Sequence, residues 1–319
     1  MAVKPDISLI FPLYNEAENL GYLIPQLNLF FSEIHEIHAE VIFVDDGSSD
    51  KSVEIIRKGI HQFYTAKIIR LARNSGSHAA VRAGIFHASG EWISILAADL
   101  QDPLMLIVEM YDQCLKGNDI VVAQRRNIGA DASTRLFSRY YAFLMRKYAI
   151  RDYPKKGADV LMFNTKVQEI LNRNIEANSN FVLQILSLGF KKTFIAYDKV
   201  ERKYGESKWT LAKKIKLLID SFVAFSFFPI RMVSIGGILL FLIGLIWTIY
   251  IVVRTLIFHD LAQGWPTMIS ILMLGFGMTN ISLGVVAEYL WRTLDASRKR
   301  PVFIIDEIIE LNNEEYEHK

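Results

Sequence analysis

The sequence predicts an α/β domain built on a mostly parallel sheet, followed by interfacial and then membrane-spanning helices. Three observations carry that expectation. Up to Arg126, short apolar runs alternate with stretches of helical period, the pattern of a parallel sheet covered on both faces. Residues 232–253 and 261–287 contain no charged side chain, and a bilayer span needs about 20 predominantly apolar residues. Just before them, Lys208, Lys213, Lys214 and Lys216 are interleaved with Trp209, Leu211, Ile215, Leu218 and Ile219, the composition of a helix lying in the membrane interface.

Taken in order, residues 7–11 form a short strand ending at Pro12, and 16–31 have helical period. A second apolar run, 39–44, ends in Asp45-Asp46-Gly47-Ser48 and is followed by a helix-like stretch over 49–64. Residues 67–71, 92–96 and 120–123 are three more strands, separated by helices over 77–88 and 103–116. The run at 92–96 delivers Ala97-Ala98-Asp99-Leu100-Gln101-Asp102 before Pro103 opens the next helix. After Arg126 the alternation loosens into a loop (127–134), an amphipathic helix (135–148), a second loop around Pro154 and Gly157, and an apolar run at 160–163.

The 319 residues exceed one typical domain. The expected division is a catalytic domain over 1–205, interfacial helices over 206–230, transmembrane helices over 231–258 and 265–291, and a tail over 292–319. Arg231 precedes the first span and Arg292, Arg298, Lys299 and Arg300 follow the second, while the connecting loop carries His259 and Asp260; Arg254 is the one dissenting charge. No signal peptide is visible before the first strand. An integral protein of the cytoplasmic (inner) membrane is expected, with the catalytic domain and both termini cytoplasmic. A lone cysteine, Cys114, excludes an internal disulfide framework. The net charge of +2, with no basic stripe joined to stacking aromatics, excludes a nucleic-acid partner. Gly236, Gly237 and Gly244 permit close helix approach, so a homo-oligomer is expected.

Chemistry gathers where strands end. Residues 12–16, 44–48 and 98–102 follow the first, second and fourth strands and should open onto one crevice, since ligands of open α/β sheets bind outside the carboxyl ends of the strands. Carboxylates there accept from a uracil N3–H or from ribose hydroxyls, and the oxygens of Asp99, Gln101 and Asp102 suit a hard cation, Mg²⁺ or Mn²⁺. Neither a G-x-G-x-x-G turn nor a Walker lysine is present, which excludes dehydrogenases and P-loop enzymes.

Pro12-x-Tyr-Asn-Glu-Ala-Glu-Asn-Leu, Val-Asp-Asp-Gly-Ser-Ser-Asp, Asn74-x-Gly76, Ala-Asp-Leu-Gln-Asp-Pro and Tyr204-Gly-Glu-Ser-Lys-Trp together resemble the family 2 glycosyltransferases of GT-A (Rossmann-like) fold. More narrowly they resemble the polyprenyl-phosphate glycosyltransferases, the group of dolichyl-phosphate mannose synthase and the bactoprenol glucosyltransferases. The resemblance implies a membrane enzyme that moves a sugar from a nucleotide sugar, UDP rather than GDP, to a polyprenyl phosphate with inversion. It implies that Pro12, Tyr14 and Glu16 line the nucleotide pocket, with Asp45 and Asp46 on base and ribose. It assigns the metal to Asp99 and Gln101, a phosphate contact to Arg125, and the diphosphate or lipid phosphate to Arg202 and Lys208. Ala97 departs from the family, which has Asp-x-Asp there, so a non-catalytic nucleotide-sugar binder is the alternative from another class; a different lipid or polysaccharide acceptor is the alternative within the enzymes. A phosphate monoester has a second pKa of about 6, so the acceptor needs no strong base. If one assists, it is Asp159.

Overall fold

The computed structural model describes residues 4–126, 132–150, 153–154, 157–176, 179–200, 220–221, 225–226, 228–258 and 264–311. The chain divides into two compact units, one of residues 1–221 with 301–319 and one of 222–300.

The first unit is built on an eight-stranded sheet in the order β7-β5-β6-β4-β1-β2-β3-β8. Its strands are β1 (Ile7–Leu13), β2 (Ala39–Asp45), β3 (Thr65–Leu71), β4 (Trp92–Ile95), β5 (Ile120–Arg125), β6 (Val160–Asn164), β7 (Lys192–Tyr197) and β8 (Ile305–Leu311). Helices α1 (Ala17–Glu33), α2 (Ser52–Lys58), α3 (Ser77–His87) and α4 (Met105–Leu115) connect the first five strands. Further on come α5 (Ala132–Tyr148), α6 (Thr165–Arg173) and α7 (Phe181–Ser187). The strands and helices expected up to residue 163 all form.

The sheet is mixed, GT-A-like, rather than simply parallel. β1 pairs in parallel with β2 and β4, β2 with β3, and β5 with β7; β6 is antiparallel to β4 and β5, and β8 to β3. Composition hides such reversals, because an apolar run such as Val160–Phe163 reads the same whichever way it enters the sheet. Part of the expected tail, 292–319, is thus the edge strand β8, tied down by the ion pair between Arg57 and Glu307 at 2.9 Å.

Helix α1 shows why these segments settle where they do. Leu20, Leu23, Ile24, Leu27, Phe30 and Phe31 recur at helical spacing, all buried, and contribute about 2 kcal/mol each. α3 lies close on the sheet because residue 84 is glycine: a Cβ there would meet Ile10 Cγ2 at 2.4 Å.

The second unit contains α8 (Phe228–Phe258) and α9 (Trp265–Arg298). Among the described residues one helix is long and apolar enough to cross a membrane, α8, whose most apolar stretch, Ile230–Trp247, has a mean hydropathy of 2.2. Of the glycines expected to pair copies of the chain, Gly236 is already used within it, since a Cβ there would meet Met278 Cε of α9 at 2.3 Å. Gly237 and Gly244 have open space around them. Most of the expected interfacial segment, with Lys208, lies outside the described residues, as do Arg202, at the end of the expected 1–205 domain, and the loop 127–131.

Candidate active site

Register brings the predicted residues to one edge. Leu13 pairs with Asp45 and Ile10 with Ile95, so the segments following β1, β2 and β4 leave the sheet side by side. At the β1–β2 end they are stitched together. Asn15, at φ +53°, donates its N–H to Ser48 Oγ at 2.9 Å while its Oδ1 accepts from the Ser49 N–H at 2.9 Å. The Glu16 N–H donates to Ser52 Oγ and the Ala17 N–H to Asp50 Oδ2, at 2.9 and 3.1 Å. The first turn of α1, which lacks a side-chain cap of its own, is therefore capped from the Ser48–Ser52 loop. Ser48, Ser49 and Asp50 belong to the Val-Asp-Asp-Gly-Ser-Ser-Asp motif, whose spacing does not reveal that they and Ser52 cap α1.

Asp45 is fully buried, accepts from the Ser48 N–H and stands 3.8 Å from Arg70 Nε. Asp46 accepts from the Ser75 and Gly76 N–H groups at 2.7 and 2.9 Å, one on each oxygen. Burial pushes its carboxyl above the ordinary range, with those two N–H groups opposing. Gly47 between them is at φ +72°, and a Cβ there would stand 2.9 Å from the Asn74 backbone N. Glycine is required on both counts. Asp46 and Gly47 thus dock the loop 73–76 against the β1–β2 end of the crevice; Tyr14, which follows β1, is exposed.

The end of β4 is built differently. Asp99 Oδ1 accepts from the Gln101 N–H at 3.3 Å, across Leu100 at φ +49°. Gln101 is tied to the end of β7: its carbonyl accepts from the Val200 N–H at 2.9 Å. Asp102 turns inward, accepting from the Tyr197 hydroxyl and lying 3.9 Å from Lys199 Nζ. Burial and Asp102 raise the Tyr197 phenol far above its ordinary range, so it stays protonated and donates. Ala97 is exposed at this end and brings no oxygen.

Next to it, Arg125 Nη2 at the end of β5 meets Asp159 Oδ1 at 2.7 Å. Two further atoms of that pair, Arg125 Nε and Asp159 Oδ2, are buried with no hydrogen-bond partner among the described residues. Burial raises the Asp159 carboxyl, against the pull of Arg125; burial also works to lower Arg125, but the charge and hydrogen bond of Asp159, with Tyr197 and Asp102, together raise it and keep it protonated. Tyr197 and β7 were not foreseen; the pattern of Lys192–Tyr197 is half-exposed and does not stand out.

For a divalent ion, the donors here are one carboxylate, Asp99, and one amide oxygen, Gln101, because Asp102 is committed to Tyr197 and Lys199. No trio of His, Cys, Asp or Glu suited to a metal occurs among the described residues. That donor set fits Mg²⁺ or Mn²⁺ held by one carboxylate together with substrate phosphates and water.

Acids delivered by the second and fourth strands to one edge of a GT-A-like sheet are the layout of a glycosyltransferase, and the sequence relatives belong to that class. The chain belongs to glycosyl transferase family 2, whose model matches residues 8–175. It is 32% identical over 309 residues to an uncharacterized glycosyltransferase of Bacillus subtilis, covering 96% of this chain and 95% of that one. It is 30% identical to a prophage bactoprenol glucosyl transferase homolog of Escherichia coli, over 95% of this chain and 99% of the relative. An undecaprenyl-phosphate 4-deoxy-4-formamido-L-arabinose transferase of Photorhabdus laumondii is 29% identical over 95% and 94% of the two chains.

Proposed function

We propose that this glycosyltransferase moves a sugar from a nucleoside diphosphate sugar, a UDP-sugar, to a polyprenyl phosphate. The observation that carries the reading is the meeting of Asp45, Asp46, Asp99 and the Arg125–Asp159 pair at one sheet edge, in a chain that aligns end to end with relatives named for bactoprenol and undecaprenyl phosphate.

An oxygen of the lipid phosphate attacks the anomeric carbon from the face opposite the diphosphate; that carbon's bond to the diphosphate breaks and the nucleoside diphosphate leaves. Asp45, Asp46 and the ends of β1 and β2, with Pro12, Tyr14 and Glu16, hold the nucleoside. Asp99 and Gln101 would hold Mg²⁺ or Mn²⁺, which when bound supplies positive charge to the leaving diphosphate. Arg125 gives a second fixed charge beside it, with Arg202 and Lys208 assigned the same task. Asp159 Oδ2, buried and raised in pKa, accepts the remaining proton when the acceptor arrives as a monoanion.

Membrane attachment supports this acceptor. α8 and α9 are read as two spans, and Arg231, Arg292, Arg298, Lys299 and Arg300 as the cytoplasmic ends of those spans, with both termini inside. α5 also presents Arg139, Tyr140, Phe143 and Lys147 outward, while Ala142 and Met145 face the core and the Tyr141 hydroxyl bonds Ser221 Oγ at 2.8 Å. An aromatic and basic face of this kind suits a bilayer surface.

The test is transfer of labelled sugar from UDP-sugars to undecaprenyl phosphate by the purified protein with Mn²⁺. Label in the lipid fraction supports the reading; UDP binding without transfer to any lipid favours a non-catalytic nucleotide-sugar binder. In the same assay, Asp159→Asn should abolish the acid limb of the rate profile, and an unchanged profile removes Asp159 as the base.

A further inference from the structure

The edge strand β8 brings a charge into line with the β1–β2 end of the crevice. Phe43 of β2, Ile68 of β3 and Ile309 of β8 share the core that also holds Leu20, Leu23 and Ile56 of α1 and α2. Side chains alternate along a strand, so Asp45, Arg70 and Glu307, each two positions from one of those residues, stand on that same face. Register sets them in a row. Asp45 pairs with Arg70 and Arg70 with Glu307, and the row ends at Arg57 of α2, whose Nη2 meets Glu307 at 2.9 Å. Directly opposed side chains on one face of a sheet interact, so charge alternates from the crevice to the sheet edge.

Arg70 is shared within this row. Its Nε stands 3.8 Å from Asp45 Oδ2, beyond hydrogen-bond distance, while Glu307 opposes it from β8. Asp45 is fully buried, and an arginine seated on it would occupy an oxygen that a nucleoside needs. The β3–β8 register shifts between Arg70 and Leu71, skipping Asp306. Such bulges re-aim side chains beside functional sites.

A second link lies next to the first. The Ile304 carbonyl accepts from the Ala72 N–H at 2.9 Å, and Ala72 leads into the loop 73–76 that Asp46 and Gly47 hold. Stability does not account for the row, because Arg57 and Glu307 are both half-exposed and such pairs contribute little.

We propose that β8 is a positioning element of the nucleotide site. Glu307, its positioning residue, draws Arg70 off Asp45 and leaves that carboxylate free to accept from the nucleoside, while Ile304 fixes the loop 73–76. Residues 299–304 join α9 to β8, so the chain completes this site only after both long helices. The inference rests on the nucleotide reading of Asp45.

The test is calorimetric titration of the full chain with UDP, beside its unfolding midpoint. Glu307→Lys should drive Arg70 onto Asp45 and weaken UDP about fivefold, with Glu307→Gln weakening it less. Added positive charge alone would tighten an anion, so the expected change has the opposite sign to the field effect. Arg57→Glu combined with Glu307→Lys restores the pair to α2 yet keeps a cation opposite Arg70, and UDP should stay weak. In transfer assays the loss should fall on the donor KM with kcat unchanged, and the midpoint should barely move. Unchanged or tighter UDP binding in Glu307→Lys, or full recovery in the double variant, would overturn the inference and leave the nucleotide site standing. No binding of UDP by the wild type would overturn both.

Discussion

The two ends of the crevice are built on opposite plans. At the β1–β2 end nearly every polar side chain is spent on the protein itself: Ser48, Asp50 and Ser52 hold the start of α1, and Asp46 holds Ser75 and Gly76. At the β4–β5 end, Arg125 Nε and Asp159 Oδ2 are buried without partners among the described residues, and Leu100 has a left-handed backbone. An unpartnered buried polar group costs about 1–3 kcal/mol, a cost that a substrate phosphate or hydroxyl removes when it binds. Under the proposed function, the β1–β2 end is a finished surface for the nucleoside, and the β4–β5 end is completed by the substrates.

That contrast makes a sorting prediction: changes at the transfer end should reduce turnover, and changes at the nucleoside end should reduce stability and nucleotide affinity. The largest effect is expected for Arg125→Met, a loss of about 10²–10³ in sugar transfer with nucleotide affinity nearly unchanged. A fall in affinity of the same size would erase the distinction. Gly47→Ala should cost about 1–3 kcal/mol in chemical denaturation, since it strains a left-handed backbone and pushes on Asn74, and UDP affinity should fall with it. Asp46→Asn keeps one acceptor and loses the other; a loss of about 1–2 kcal/mol is expected, with turnover per bound donor unchanged.

The smallest effect is one of pH. His61 is buried, with Nε2 donating to the Ile56 carbonyl at 2.8 Å and Nδ1 accepting from the Tyr64 hydroxyl at 2.9 Å, and burial lowers its pKa as it does that of His78. A histidine whose folded pKa is depressed contributes stability above its unfolded pKa of about 6.5 and loses it as pH falls toward the folded value. Unfolding midpoints should therefore drop below about pH 6.5, and His61→Gln should flatten that slope. A midpoint that is flat with pH in the wild type would contradict the burial of the His61 ring.

Much of this was readable in the residues alone because it depends on local pattern. Strand periods at 7–11, 39–44 and 92–96 placed Asp45, Asp46, Asp99 and Gln101 at strand ends, and the parallel register sets those strand ends on one edge of the sheet. Tyr197 was not legible, because its strand alternates weakly and its partner Asp102 is 95 positions away. Nor was β8: its role depends on a return to the edge of β3 after two long helices, which no local period encodes. Arg82 was hidden in a run of small apolar residues, where only the neighbouring α6 reveals what its charge faces.

The most direct test of the central claim is sugar transfer to undecaprenyl phosphate by the purified protein and its Asp99→Asn variant, with Mn²⁺ and a panel of labelled UDP-sugars. Labelled lipid from the wild type, reduced at least a hundredfold in Asp99→Asn while UDP still binds, is the predicted result. Equal labelling by the two proteins, or no labelled lipid from any donor despite saturating UDP-sugar, would contradict it.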